Sequence, residues 1–184
     1  MHRPTERNPP ASSPRAPSRR GCLRGLTALG LAACGAAAWG LEPPAGPVVL
    51  RVGGRVRRPN AEGAALFDMA MLERLPQTSF TTHTPWYAGP RRFTGPLLRE
   101  VLTAAGAHGT QLRASALNDY HADLPFDDAQ RHELVVARLL DGQPMAVRDK
   151  GPLFLIYPFD DRPSLRSATY YNRSVWQLRA IEVR

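Results

Sequence analysis

The segment "TTHTPW" at residues 81–86 brings three hydroxyls, an imidazole and an indole together within six positions. Side chains alternate along an extended chain, so Thr81 and His83 face one side while Thr82 and Thr84 face the other. Hydroxyls and an imidazole at a strand end can hydrogen-bond a ligand, and Trp86 offers a flat apolar face beside them. Trp86 reads equally well as an ordinary core tryptophan. Metal chemistry finds little support, because His108, His121 and His132 show no ligand spacing with His83 or with carboxylates.

Other polar clusters carry possible site chemistry further along. Asn118, Asp119 and Tyr120 follow a strand-like run, and Asp119 can accept two hydrogen bonds from an amino-bearing ring edge. The alternative is a turn aspartate that bonds its own backbone. "RDK" at 148–150 holds the only lysine among 24 basic side chains. Arg148 and Lys150, just before a Gly-Pro strand, suit an anion such as a phosphate tail, with solvated surface charge as the alternative. Trp176 reads as a buried strand residue, and Asn172 and Arg173 lead into the last strand. Asp127–Asp128 and Asp160–Asp161 read as turn and cap residues. No Ser-His-Asp order and no general-acid pair stands out.

The elements that must position these residues are short. "VVLRVGGRV" (48–56) predicts a strand with glycines at a bend, and "AALFDMAMLERLP" (64–76) a helix ended by Pro76. "QTSFTTHT" is extended. A helix is expected from Thr94 as N-cap, with Pro96 in its first turn. Leu98, Val101, Leu102 and Ala105 then form its buried face, and Gly106 ends it. Strands are expected at 111–119, in "ELVVARLLDG", at 151–158 and in "WQLRAIEVR", with a turn or short helix in "LPFDDAQRH". Strands dominate and helices are irregularly interspersed. That argues an α+β, mostly β domain and against a doubly wound parallel sheet.

The first 40 residues read as an export signal, 41–47 as a linker and 48–184 as one domain with one core. An arginine- and proline-rich segment precedes the short apolar run "LTALGLAACGAAAWG". "SRRGCLR" (18–24) is similar to a twin-arginine motif, departing from it at Cys22, so the general secretory route stays open. "LAAC" fits a lipoprotein box with Cys34 as the lipidated residue, while "AAA" at 36–38 offers an ordinary cleavage site. Loss of residues 1–38 removes six arginines and one glutamate, lowering the formal charge from +8 to +3. Nucleic-acid binding thereby loses its main support. Cys22 and Cys34, the only two cysteines, both lie in this leader. The remaining domain has no disulfide, no thiolate metal site and no cysteine nucleophile.

Four segments in order, "FTGPLLREVLTAAG", "LNDYHADLPFDDA", "LDGQPMAVRDKGPLFLIYP" and "NRSVWQLRAIEV", resemble the sulfite-oxidase-type molybdopterin-binding domain. The resemblance covers roughly residues 47–184. It implies that family's mostly β fold and a pterin-type ligand. In the catalytic members a cysteine four positions before a tryptophan ligates molybdenum; counted back from Trp86, that position is Thr82. A threonine hydroxyl is a poor replacement for a thiolate on a soft, oxo-rich metal. Where the closing motif commonly carries a lysine, this chain has Trp176.

The chain is most similar to the compact periplasmic pterin-binding proteins of this fold that lack the cysteine. That likeness implies a non-catalytic module acting as ligand-sensing partner of a membrane-bound signalling protein of diguanylate cyclase or histidine kinase type. It implies a reduced or molybdopterin-like pterin as ligand, without molybdenum. It places the ligand at Thr82, His83, Trp86, Asn118, Asp119, Tyr120, Arg148, Lys150 and Trp176. A molybdopterin-dependent oxidoreductase, or a subunit of one, is the alternative.

Overall fold

In the computed structural model, which describes residues 40–184, the alternating "VVLRVGG" forms strand β1 (Val48–Gly54). The leader, with Cys34 and the 18–24 motif, lies outside the described residues. β2 (Ala64–Asp68) pairs antiparallel with β1. Helix α1 (Met69–Arg74) begins only after it, so the helix expected over 64–76 is half strand. The reason is Asp68. Its Oδ1 accepts the Met71 N–H at 2.8 Å and caps the helix there, while the residues before it satisfy their backbone on β1.

β3 (Gln77–Thr82) and β4 (Arg91–Pro96) form an antiparallel pair, and α2 (Leu98–Ala104) follows. Leu98, Val101, Leu102 and Ala105 are buried, and Gly106, at φ +63°, ends the helix as its spacing predicts. Thr94, expected as the N-cap, lies within β4 and bonds Ser79 Oγ at 2.7 Å. The helix instead starts at Leu97 without a side-chain cap, and the Leu98 N–H is satisfied at 2.7 Å by the Leu134 carbonyl. A tertiary contact replaces the local one.

Strands β5 (Gln111–Ala116) and β6 (His121–Pro125) and the single turn α3 (Asp128–Arg131) come next. Short strands β7 (Val135–Ala137), β8 (Leu139–Leu140), β9 (Gln143–Pro144) and β10 (Phe154–Ile156) lead to α4 (Ala168–Arg173). β11 (Val175–Trp176) and β12 (Leu178–Val183) close the chain. The strands make a five-stranded sheet ordered β2-β1-β12-β5-β6, a four-stranded sheet β3-β4-β8-β9 and a three-stranded sheet β11-β10-β7. β1 and β12 run parallel; the other pairs are antiparallel. The domain is mixed α and β with strands in the majority, as the sequence pattern predicts.

One continuous core joins the sheets, including Leu50, Phe67, Phe93, Leu124, Phe154 and Tyr157, all at most 1 % exposed. Gly95 matters for that closure. A Cβ there would collide with the Val136 carbonyl, so only glycine lets β4 approach β7 so closely. Among the described residues no helix is long and apolar enough to cross a membrane.

Candidate functional site: a two-lobed cleft

Past the end of β3 the chain stays extended, with Thr82 and Thr84 buried and Thr81 and His83 exposed, the alternation expected of it. Thr82 is wholly buried. Its Oγ1 accepts the Asp160 N–H at 3.0 Å and donates to the His83 carbonyl at 3.3 Å. The hydroxyl therefore holds the turn after β10 in place and does not line the cleft.

Asp160 gathers the polar end of the site. Its Oδ2 accepts the His83 N–H at 2.9 Å and bonds His83 Nδ1 at 2.8 Å, while its Oδ1 accepts from Arg166 at 2.7 Å. Burial opposes ionisation of Asp160, but hydrogen bonds from the His83 ring, the His83 backbone and Arg166 together outweigh it and hold the carboxyl below its usual range. Against an ionised Asp160, Nδ1 carries the proton and donates, leaving Nε2 as the free ring nitrogen. These three residues, with Thr84, Pro85 and Tyr171, line a lobe of about 480 Å³.

Pro85 and Tyr171 also border a second lobe, of about 420 Å³, so the two adjoin. Its walls are Trp86, Trp176, Tyr171 and Tyr120, with Asn172 and Ser174. Trp86 meets Trp176 nearly at right angles (79°, centroids 5.5 Å apart) and Tyr171 likewise (85°, 6.2 Å). Its other contacts are core rings, Phe154 at 5.5 Å and Phe159 at 6.3 Å. Trp86 therefore borders the cleft on one side and packs on the core on the other. Tyr120 donates its hydroxyl to the Asn172 carbonyl at 2.7 Å, tying the β5–β6 turn to α4.

Of the residues singled out in the sequence, His83, Trp86, Tyr120 and Trp176 meet in this cleft. Lys150 lies just beyond it, its Nζ 5.9 Å from the Trp176 ring and 5.0 Å from Tyr87. Asn118, Asp119 and Arg148 line neither lobe. Asn118 Oδ1 accepts the Tyr120 N–H at 3.2 Å, the local bond of a turn. Asp119 adopts φ +64° and turns an 89 % exposed side chain to Arg179 at 3.2 Å, an exposed ion pair at the turn and not a bond to its own backbone. Arg148 is 88 % exposed and faces Asp149 at 3.5 Å.

Sequence reasoning missed Asp160, Arg166 and Tyr171 as cleft residues. It also misread Asp128, which is buried and accepts from Tyr157 Oη at 2.8 Å and from Arg173 at 2.9 Å. The signals were faint: an aspartate pair in a proline-bounded loop and a tyrosine pair in "SATYYNR". Gln177, next to Trp176, adopts φ +53° and is pinned by bonds from its N–H to the Lys150 carbonyl and from the Leu117 N–H to its own carbonyl, both 2.9 Å. Uncommon backbone held in place by its neighbours is a recurrent property of ligand sites. Among the described residues no group of three His, Cys, Asp or Glu side chains is placed to hold a metal ion.

No family model matches the chain, and no curated protein matches it.

Proposed function

We propose that the chain is a non-catalytic, periplasmic pterin-binding module and the ligand-sensing partner of a membrane-bound signalling protein. The observation that carries this reading is the adjacency of an aromatic lobe, at Trp86, Tyr171 and Trp176, to a polar lobe at His83, Asp160 and Arg166. A pterin is a flat ring system with donors and acceptors along one edge, and a pocket for it combines aromatic faces with a few fixed polar groups. Trp176 and Trp86 would take the ring. Thr84, Asn172 and the His83–Asp160 pair would meet its edge.

The position that the family resemblance equates with a metal ligand supports a binding role. Thr82 offers a hydroxyl, fully buried and engaged with Asp160 and His83, where the catalytic members have a thiolate. The periplasmic location and the class of partner rest on the leader pattern and on the resemblance.

Protein isolated from its native compartment, denatured and analysed by mass spectrometry, is expected to release a pterin. Protein freed of ligand is expected to bind tetrahydrobiopterin saturably, with quenching of tryptophan fluorescence. Absence of both overturns the reading. About one molybdenum per chain together with sulfite turnover would replace it with the oxidoreductase.

A further inference from the structure

A charged corner lies at the other end of β12 from the cleft. Trp176 precedes β12, whereas Val183 ends it beside Gly54 of β1, about 17 Å beyond Leu178 by strand rise. There the chain turns through Arg55, Arg57 and Arg58, all exposed. The loop is tightly held. Arg55 donates its N–H to the Val183 carbonyl, Arg57 to Gly106 and Arg58 to Ala105, each at 3.1 Å, and the His108 N–H bonds the Arg55 carbonyl at 3.0 Å.

Most other arginines of the domain have a carboxylate partner, including Arg51 with Glu182 and Arg74 with Glu42. Among the described residues Arg55, Arg57 and Arg58 have none. Three unneutralised guanidinium groups on a fixed loop are a surface for anions.

The path of the chain selects the anion. Gly40 lies against the Pro59 carbonyl, which a Cβ on it would meet at 3.5 Å, and Asn60 donates to the Glu42 carbonyl at 2.8 Å. The domain is therefore entered right beside Arg58. Cys34 stands six residues before Gly40, a reach of at most about 20 Å. A lipid on Cys34, as the lipoprotein-box reading has it, would bring this corner to a bilayer, where a basic patch adds attraction to anionic headgroups.

We propose that Arg55, Arg57 and Arg58 dock anionic phospholipid headgroups at the membrane surface, leaving the cleft at the far end of β12. The inference is independent of the ligand read into the cleft. The test uses protein purified from its host with its native N-terminus, and an Arg55→Ser/Arg57→Ser/Arg58→Ser variant prepared identically. Both are floated, below saturation, with phosphatidylcholine vesicles and with vesicles containing roughly one-third phosphatidylglycerol.

The parent is expected to partition about tenfold or more in favour of the anionic vesicles at low salt, and to lose that gain as salt screens the surface. The variant should lose the gain while keeping the parent's melting temperature, since these side chains are exposed. Equal partition of the parent into both vesicles overturns the proposal. So does a gain that survives the triple substitution.

Discussion

Thr82 Oγ1 accepts the backbone N–H of Asp160 at 3.0 Å across 78 residues of sequence, and that bond fixes the polar lobe. Thr82→Val keeps the shape and deletes the acceptor. With Thr82 wholly buried, the orphaned N–H is expected to cost about 1–2 kcal/mol, a fall of several degrees in Tm for a domain of this size. Thr82→Ser should recover most of it. Thermal melts of the three proteins check the order, and equal stability of Thr82→Val and parent would show that the bond does little.

Trp86 and Trp176 separate core from cleft. Trp86 backs onto Phe154 and Phe159, so Trp86→Ala is expected to lower stability by about 3 kcal/mol as well as weaken pterin binding. Trp176→Ala should cost less stability and still weaken binding several-fold, because stacking contributes about 0.5–1.5 kcal/mol beyond area burial. Isothermal titration beside urea melts distinguishes the two. Unchanged affinity in both variants would move the ligand out of this lobe.

Asp119, by contrast, should be silent. It lines neither lobe, and its φ of +64° suits asparagine as well as aspartate. Asp119→Asn is expected to alter pterin affinity less than about twofold, within what an exposed substitution does. A large loss by titration would mean that the β5–β6 turn closes over the ligand.

Acid should loosen the domain through its carboxylates. Asp160 is held below its ordinary value of 3.8, against the effect of burial, by hydrogen bonds from His83 and Arg166. Asp68 is lowered by the backbone N–H groups of Met71, Gly46 and Ala45. A depressed folded pKa contributes stability that is present above the unfolded value and lost as pH falls through the folded one. Urea midpoints are therefore expected to drop between about pH 5 and pH 2, and less steeply in Asp160→Asn. Parallel curves for parent and variant would remove Asp160 from the account.

Which parts of this were legible in the sequence follows from where the information resides. The buried face of α2 and the alternation through residues 81–84 are local periodicities, and both read correctly. The start of α2 did not, because its first N–H is satisfied by Leu134, 36 residues away. Among the cleft residues, His83, Trp86 and Tyr120 were singled out because their side chains can stack or hydrogen-bond, and Trp176 through the family resemblance. Asp160 and Arg166 were missed because an aspartate in a loop looks the same whether it caps a turn or receives a histidine 77 residues distant. Only the tertiary fold distinguishes the two.

The last relationship links the core to α4, the helix that carries Tyr171 and Asn172. Asp128 is 7 % exposed and accepts from Arg173 at 2.9 Å and from Tyr157 Oη at 2.8 Å. Burial, reinforced by that carboxylate, pushes the Tyr157 hydroxyl far above its ordinary range, so it stays protonated and donates. Arg173→Met leaves the carboxylate buried beside a neutral donor alone, an expected loss of about 3 kcal/mol. Adding Asp128→Asn removes the unpaired charge yet keeps an acceptor for Tyr157, and should restore part of that loss. Since Arg173 is the last residue of α4, the single variant should also weaken ligand binding by freeing the helix that walls the aromatic lobe. Urea denaturation and titration of parent, single and double variants decide it. A double variant less stable than Arg173→Met would show that the Asp128 charge was never the cost.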